Sequence, residues 1–332
     1  MKKGFRRTLL ACGIFMMMIS FTGMSLAADK GLYPNNITFV AGSVGGTYYF
    51  IGTGIGKVIN DKFEGVNCSV EVTSSAPLEN AYYVSRTEET VGIITMDGIT
   101  DALAGNEKVG FKQPITNVRV IMGGHVQYNH VGVKKGRGIK TIADLKGKTI
   151  GTVPVGSSAR QQLEAALILQ GLDPKKDLRL TPLSYPEQVD AMKDSKVDAF
   201  HNGGGVPSVM AMEIANTDPI TIVTIPEDLE KKMLEKYPFW GIGTIPAGTY
   251  NGQDEDAKVS TVQTLIFCND ALSEQFIYDL MGVVFANTEF MKTVHAEGKN
   301  WNWETTLEFY KKRQELPWHP GAVKYIKERA GL

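Results

Sequence analysis

Ile37-Thr38-Phe39-Val40-Ala41 runs into Gly42-Ser43-Val44-Gly45-Gly46-Thr47 and then into the amphipathic stretch Tyr48 to Phe63. A β-branched and aromatic run reads as a strand, a glycine-rich segment as a turn, and the longer stretch as a helix. The same unit recurs downstream. Val70 to Thr73 leads through Ser74-Ser75-Ala76-Pro77 to a helix from Leu78 to Ser85, and Pro77 suits a first helical turn because it has no N–H to leave unsatisfied. Val91 to Thr95 leads through Met96-Asp97-Gly98 to a helix from Ile99 to Ala104. Strands alternating with helices predict an α/β sandwich whose sheet is largely parallel.

A second series follows. Val118 to Met122, His130 to Lys134, Thr149 to Val153, Leu178 to Leu183, Val197 to Phe200 and Ile220 to Ile225 read as strands, with a short helix at Ile142 to Leu145 and longer ones at Ala159 to Gln170 and Pro186 to Lys193. Pro154-Val155-Gly156-Ser157-Ser158 opens the helix at Ala159, and Ser158 with Gln161 has capping-box spacing. After Tyr237, Pro238, Gly241, Gly243, Pro246 and Gly248 mark an irregular crossing segment. Val259 to Phe267 then reads as a strand, and Ser273 to His295 and Thr305 to Arg313 as helices. Two α/β units with a late return predict a discontinuous first domain, residues 28–125 plus 238–332, and a second domain, 126–237, inserted in it.

The 332 residues are 43% hydrophobic and 21% charged, a globular composition, and 35 basic residues stand against 36 acidic ones. Four of the bases, Lys2, Lys3, Arg6 and Arg7, fall in the first 27 residues; without them 31 bases face 36 acids, a net −5. That balance, with no basic run, excludes the electrostatic footprint of a nucleic-acid-binding protein. The basic start, the apolar stretch Thr8 to Gly23 and the small residues of Ser25-Leu26-Ala27 read as a secretory signal peptide, residues 1–27. As a membrane anchor the apolar stretch would be near the lower limit of length. Cys12 leaves with the signal, and little apolar sequence precedes it to make Leu9-Leu10-Ala11-Cys12 a lipid-attachment site. Cys68 and Cys268, both in strand-like runs, are either a disulfide or two buried thiols.

The strand–loop–helix units carry the functional signal. A helix N-terminus leaves backbone N–H groups unpaired and bears partial positive charge, and glycines let an anion approach closely. In open α/β sheets such loops gather at the carboxyl ends of the strands, where ligands bind. Ser43, Gly45, Gly46, Thr47, Tyr48, Ser74, Ser75, Ser157 and Ser158 are therefore candidate ligand contacts, although Ser and Thr at such positions also simply cap helices. Arg160, a cation at the positive end of its helix, is placed to grip a carboxylate with its planar fork, or else is solvated. Asp97 either caps its helix, the favoured reading, or meets an ammonium or hydroxyl of the ligand. His201-Asn202-Gly203-Gly204-Gly205 follows a strand, so Asn202, Gly203 and Gly204 lie against the ligand or form a tight turn. Tyr48, Tyr49 and Trp240 wall the cleft or belong to the core.

Enzyme motifs fail. A nucleophile elbow would need glycine at Ala41, Gly52-Thr53-Gly54-Ile55-Gly56 lies within a helix and misplaces its third glycine, and Ile142 stands where a phosphate loop ending at Gly147-Lys148-Thr149 needs glycine. The histidines are scattered, and neither a metal site nor a cofactor is expected.

Over essentially the whole mature chain the sequence resembles the TAXI family of solute receptors of tripartite ATP-independent periplasmic (TRAP) transporters. The residues that carry the resemblance are Gly45-Gly46-Thr47-Tyr48-Tyr49, Thr73-Ser74-Ser75 with Glu79-Asn80, Asp144-Leu145-Lys146-Gly147-Lys148, Gly156-Ser157-Ser158, Asp198-Ala199-Phe200 with Gly204-Gly205-Val206-Pro207, Ile245-Pro246-Ala247-Gly248-Thr249-Tyr250, and Pro317-Trp318-His319-Pro320-Gly321-Ala322. The resemblance implies a two-domain type II periplasmic-binding-protein-like fold with a ligand cleft between the domains. It also implies a periplasmic, non-enzymatic receptor that delivers a small carboxylate ligand to an integral-membrane TRAP permease. The chain departs from the family pattern on three binding loops, at Ser75-Ala76-Pro77, Thr95-Met96 and Ser158-Ala159, so the family's usual ligands do not transfer directly. Arg160 favours a small organic acid or acidic amino acid. Alternatives are a receptor for an ABC permease or a sensor kinase, or a secreted hydrolase or lyase using Ser157 or His201.

Overall fold

The structure, a computed structural model, describes residues 26–27, 32–74 and 77–332. Of the predicted signal peptide only the backbone of β1 (Leu26–Ala27) is described, and Ser75 lies outside the described residues. The first series builds β2 (Asn36–Val40), α1 (Thr47–Lys62), β3 (Phe63–Glu64), β4 (Asn67–Glu71), α2 (Leu78–Arg86), β5 (Thr90–Thr95) and α3 (Met96–Ala104). A long strand, β6 (Val118–Lys134), carries the chain into the second series. This comprises β7 (Thr149–Thr152), α4 (Ser158–Leu169), β8 (Arg179–Pro182), α5 (Tyr185–Lys193), β9 (Ala199–Gly204), α6 (Val209–Thr217), β10 (Ile220–Ile222) and α7 (Glu227–Lys236). The return runs through β11 (Trp240–Ile245) and β12 (Ala257–Asn269) to α8 (Glu274–Ala286), α9 (Thr288–Val294), α10 (Trp303–Lys312) and α11 (Pro320–Ala330).

Ten strands form one twisted sheet along the path β4-β2-β5-β12-β6-β9-β7-β8, with β10 beside β6 and β11 beside β12. The outer strands pair in parallel, β2 with β4 and β5, and β7 with β8 and β9. The middle is antiparallel, because β12 pairs with β5, β6 and β11, and β6 with β9 and β10. The sheet is thus mixed, not largely parallel: the α/β repeats supply the flanks, and the two crossing strands run against their neighbours. β6 is continuous where two strands were expected, and the segment after Tyr237 is the regular strand β11 paired with β12 from Trp240↔Val262 to Ile245↔Ala257. The long helix expected over 273–295 is two, broken at Asn287 (φ −109°, ψ 23°). Helices α6, α7 and α11 were not anticipated.

The main core packs α1, α2, α8 and α11 against the sheet around Phe39, Ile55, Ile93, Phe267 and Phe276, all essentially inaccessible. A second cluster, with Val189, Met192, Phe200, Met210 and Ile214, lies beneath α5 and α6. Cys68 and Cys268 are both buried free thiols.

Candidate functional site

The carboxyl ends of β2 and β7 face each other across a closed cleft. On one side Gly45 adopts φ +82°, Gly46 N–H donates to Ser43 O (3.0 Å), and α1 starts on Gly46, which has no side chain to cap it. The first N–H groups of α1 therefore remain available. On the other side Gly156 (φ +92°) turns the chain into Ser157, the N-cap of α4, whose Oγ accepts from Arg160 N–H (3.3 Å) and donates to Pro154 O (3.0 Å). A third helix, α5, begins beside them, its start fixed by a capping box between Ser184 and Glu187.

These ends enclose a cavity of about 50 Å³. It is lined by Gly42, Ser43, Gly46, Thr47 and Tyr48 at the α1 end, by Val153, Ser157, Ser158 and Ala159 at the α4 end, and by Ser74, Gln127, Tyr185 and Gly203 between. Among the described residues no charged side chain lines it. Burial, and next Asp97 and Tyr185, push the Tyr48 phenol well above its usual pKa; burial pushes Tyr185 up to about 12. Both rings keep their protons. Tyr185 donates to Gly203 O (3.0 Å), whereas the buried Tyr48 hydroxyl has no partner.

Eight of the predicted residues are brought together here: Ser43, Gly46, Thr47, Tyr48, Ser74, Ser157, Ser158 and Gly203. Gly45 instead lines a neighbouring depression with Val44, Pro186 and Val209. Asn202, Gly203 and Gly204 belong to strand β9 rather than to a loop after it, and none has positive φ. Asn202 Nδ2 donates to Ser208 Oγ (3.0 Å), and the side chain stands beside Tyr185 without itself lining the cavity. Asp97 is not the cap of α3, which begins on Thr95, nor does it line the cavity. Its Oδ2 accepts from Ser158 Oγ (2.5 Å) and Trp240 Nε1 (2.8 Å), and its Oδ1 from Gly98 N–H (2.8 Å). That bond also replaces the expected Ser158–Gln161 capping box, since Ser157 is the true cap. Arg160 is buried but turned away from the cavity, with Nε on Glu164 Oε1 (2.7 Å) and Nη1 on Thr152 Oγ1.

Sequence reasoning missed Tyr185 and Gln127. Tyr185 had a signal, because Leu183-Ser184 with Glu187 is another strand-to-helix mouth with capping-box spacing. Gln127 had none, lying within the crossing strand β6. His201 is fully buried, its Nε2 on Asn129 Oδ1 (2.8 Å) and Ala159 O (3.1 Å), so it does not approach the Ser157 hydroxyl as a base.

The cleft is held shut by contacts from the β2 side to the β7–β9 side. Besides Asp97 to Ser158, Thr47 Oγ1 accepts from Gly205 N–H (3.0 Å), Glu297 Oε1 accepts from Val206 N–H (3.1 Å), and Pro77 forms an isolated antiparallel bridge with Ser157.

Residues 39–330 match the model of the NMT1-like family. Among solved structures, the chain is similar to MatC from Rhodopseudomonas palustris with bound malate, at 12% identity over 89% of this chain and 99% of that one, with a TM-score of 0.56. It is also similar to the periplasmic binding protein BugD, at 11% identity over 90% and 99% with a TM-score of 0.55. An R. palustris protein with adipate matches at 13% identity over 90% and 98% with a TM-score of 0.53. The architecture is the two-domain α/β periplasmic-binding-protein fold with a mixed sheet.

Proposed function

Because this chain belongs to the NMT1-like family, we propose that it is a periplasmic receptor that closes on a small organic acid or acidic amino acid and hands it to a TRAP-type permease. The observation that carries this reading is the uncharged cavity on which the first turns of α1, α4 and α5 converge. Helix N-termini supply partial positive charge and N–H donors without a titrating group, and no lining carboxylate opposes an anion. The neighbours that hold malate and adipate are consistent with a carboxylate ligand.

Ser43, Gly46, Thr47, Tyr48, Ser74, Ser157, Ser158 and Gly203 are the residues we assign to ligand contact. One domain comprises residues 28–125 and 238–332 and the other 126–237, with β6 running from the first into the second. Residues 1–27 act as the export signal. The TRAP partner rests on the ordered motifs shared with TAXI receptors, from Gly45-Gly46-Thr47 to Pro317-Trp318-His319. An adjacent gene for a large integral-membrane permease supports it, and an adjacent ATPase gene replaces it with an ABC partner.

The test is a thermal-shift screen of residues 28–332 against dicarboxylates, 2-oxo acids, sulfonates and acidic and neutral amino acids. An acid at one hundred times its Kd stabilises the folded state by about 2.7 kcal/mol and raises Tm. A raised Tm with one acid, recovered chemically unchanged, is the expected result. No shift with any acid overturns the reading.

A further inference from the structure

The hydroxyl protons around the cavity are already allocated, and unevenly. Ser157 donates to Pro154 O (3.0 Å), Ser158 to Asp97 (2.5 Å), Ser74 to Glu79 (3.0 Å), Tyr185 to Gly203 O (3.0 Å) and, weakly, Ser43 to Thr73 O (3.4 Å). Among the described residues two hydroxyls keep a free proton, and they are consecutive in the first turn of α1. Thr47 Oγ1 accepts from Gly205 N–H without donating, and the Tyr48 hydroxyl has no partner although its side chain is nine-tenths buried and lines the cavity. The α1 end thus offers two O–H donors beside uncapped backbone N–H groups. At the α4 end the balance is reversed. Both serines have spent their protons; Ser157 Oγ also accepts from Arg160 N–H (3.3 Å) and Ser158 Oγ from Gln162 Nε2 (3.1 Å), so each keeps one oxygen lone pair, and the Asp97 carboxylate sits directly behind Ser158, offsetting the positive end of α4. Arg160, which would have drawn an anion to this end, is engaged by Thr152 and Glu164.

We infer that the ligand lies with its single carboxylate against Thr47 and Tyr48 and with a hydrogen-bond donor, a hydroxyl or an ammonium, against Ser157 and Ser158. The ligand class is therefore a short hydroxy or amino monoacid rather than a diacid. This rests on the receptor reading above, keeps its small organic acids, sets aside its diacids and acidic amino acids, and adds neutral amino acids. A second carboxylate at the α4 end would find N–H groups of the first turn but also the serine lone pairs, with the Asp97 carboxylate behind them and Arg160 turned away. The 50 Å³ cavity favours a short chain.

The test is isothermal titration of residues 28–332 with matched acids of three to five carbons: the unsubstituted monoacid, its 2-hydroxy and 2-amino counterparts, and the diacid. We expect the hydroxy or amino member of one set to bind at least tenfold more tightly than both the unsubstituted acid and the diacid. Tyr48→Phe should raise Kd about tenfold for substituted and unsubstituted monoacids alike, because it removes a donor to the shared head. Ser158→Ala should erase the preference for the substituted acid, so that substituted and unsubstituted acids bind alike, whatever affinity both lose with the Asp97–Ser158 closing contact. A diacid bound as tightly as the hydroxy acid, or an unchanged Kd in Tyr48→Phe, overturns the inference while leaving the receptor reading intact. Binding of no acid at all overturns both.

Discussion

Asn80, fully buried at the start of α2, joins three chain segments through one amide. Its Nδ2 donates to Ala41 O (2.6 Å) and Ile93 O (2.7 Å), and its Oδ1 accepts from Thr73 Oγ1 (2.6 Å). The carboxyl end of β5, the residue after β2 and the loop after β4 are thereby fixed together, and the loops after β2 and β4 form one lip of the cavity. Asn80→Ala removes both donors and leaves buried carbonyls short of partners, so it should cost about 2–3 kcal/mol and lower the urea midpoint. An unchanged midpoint would mean that the lip does not depend on this amide. The sequence displayed Asn80 beside Glu79, but its carbonyl partners lie 13 and 39 positions away, beyond any local pattern. Arg160 shows the opposite failure. Its i,i+4 partner Glu164 was visible, and that spacing is the ordinary helical ion pair. Weighing the helix dipole without the neighbouring acid aimed the guanidinium at the ligand.

At the scale of elements, the expected strands ended too early. They stop at Met122 and Phe200, whereas Gly123-Gly124 continue β6 and Gly203-Gly204 continue β9. Glycine in a strand also marks close approach of another group. A Cβ on Gly124 would lie 2.2 Å from Cη2 of the fully buried Trp301, and one on Gly203 would lie 2.6 Å from Gln127 Nε2. Gly124→Ala must therefore displace the indole, at about 1–3 kcal/mol, the usual cost of overpacking. The expected result is a lower urea midpoint with an altered near-ultraviolet tryptophan signal. Wild-type values for both would show that Trp301 shifts freely. The strand–loop–helix units were legible because period and turn chemistry are local. The antiparallel centre was not, because the β6–β12 register joins residues more than a hundred positions apart, from Tyr128↔Thr261 to Val118↔Asn269.

For the whole molecule, the two long strands set both the closure and its sensitivity to acid. β6 pairs through its first part with β12 and through its last with β9, so the cavity walls are joined by continuous ladders and meet again at Asp97–Ser158, Thr47–Gly205 and Glu297–Val206. Three histidines are sealed on or beside this frame, each about 1% exposed or less. Burial, then His295, holds His125 down to about 3; burial lowers His130 to about 4; and burial, then Arg160, lowers His201 to about 3. All three fold in the neutral form, whereas the unfolded chain takes up protons near pH 6.5. Because the folded values lie below the unfolded one, their contribution is complete above pH 6.5. It is lost as pH falls toward 4 and 3, by up to about 1.4 kcal/mol per pH unit for each residue. The urea midpoint should therefore be level between pH 8 and 7 and drop steeply between pH 6 and 4.5. His201→Asn should shallow that drop, because one of the three proton sinks is gone. A midpoint that is flat to pH 4.5 would show that these imidazoles accept protons inside the fold, and would contradict their burial on β6 and β9.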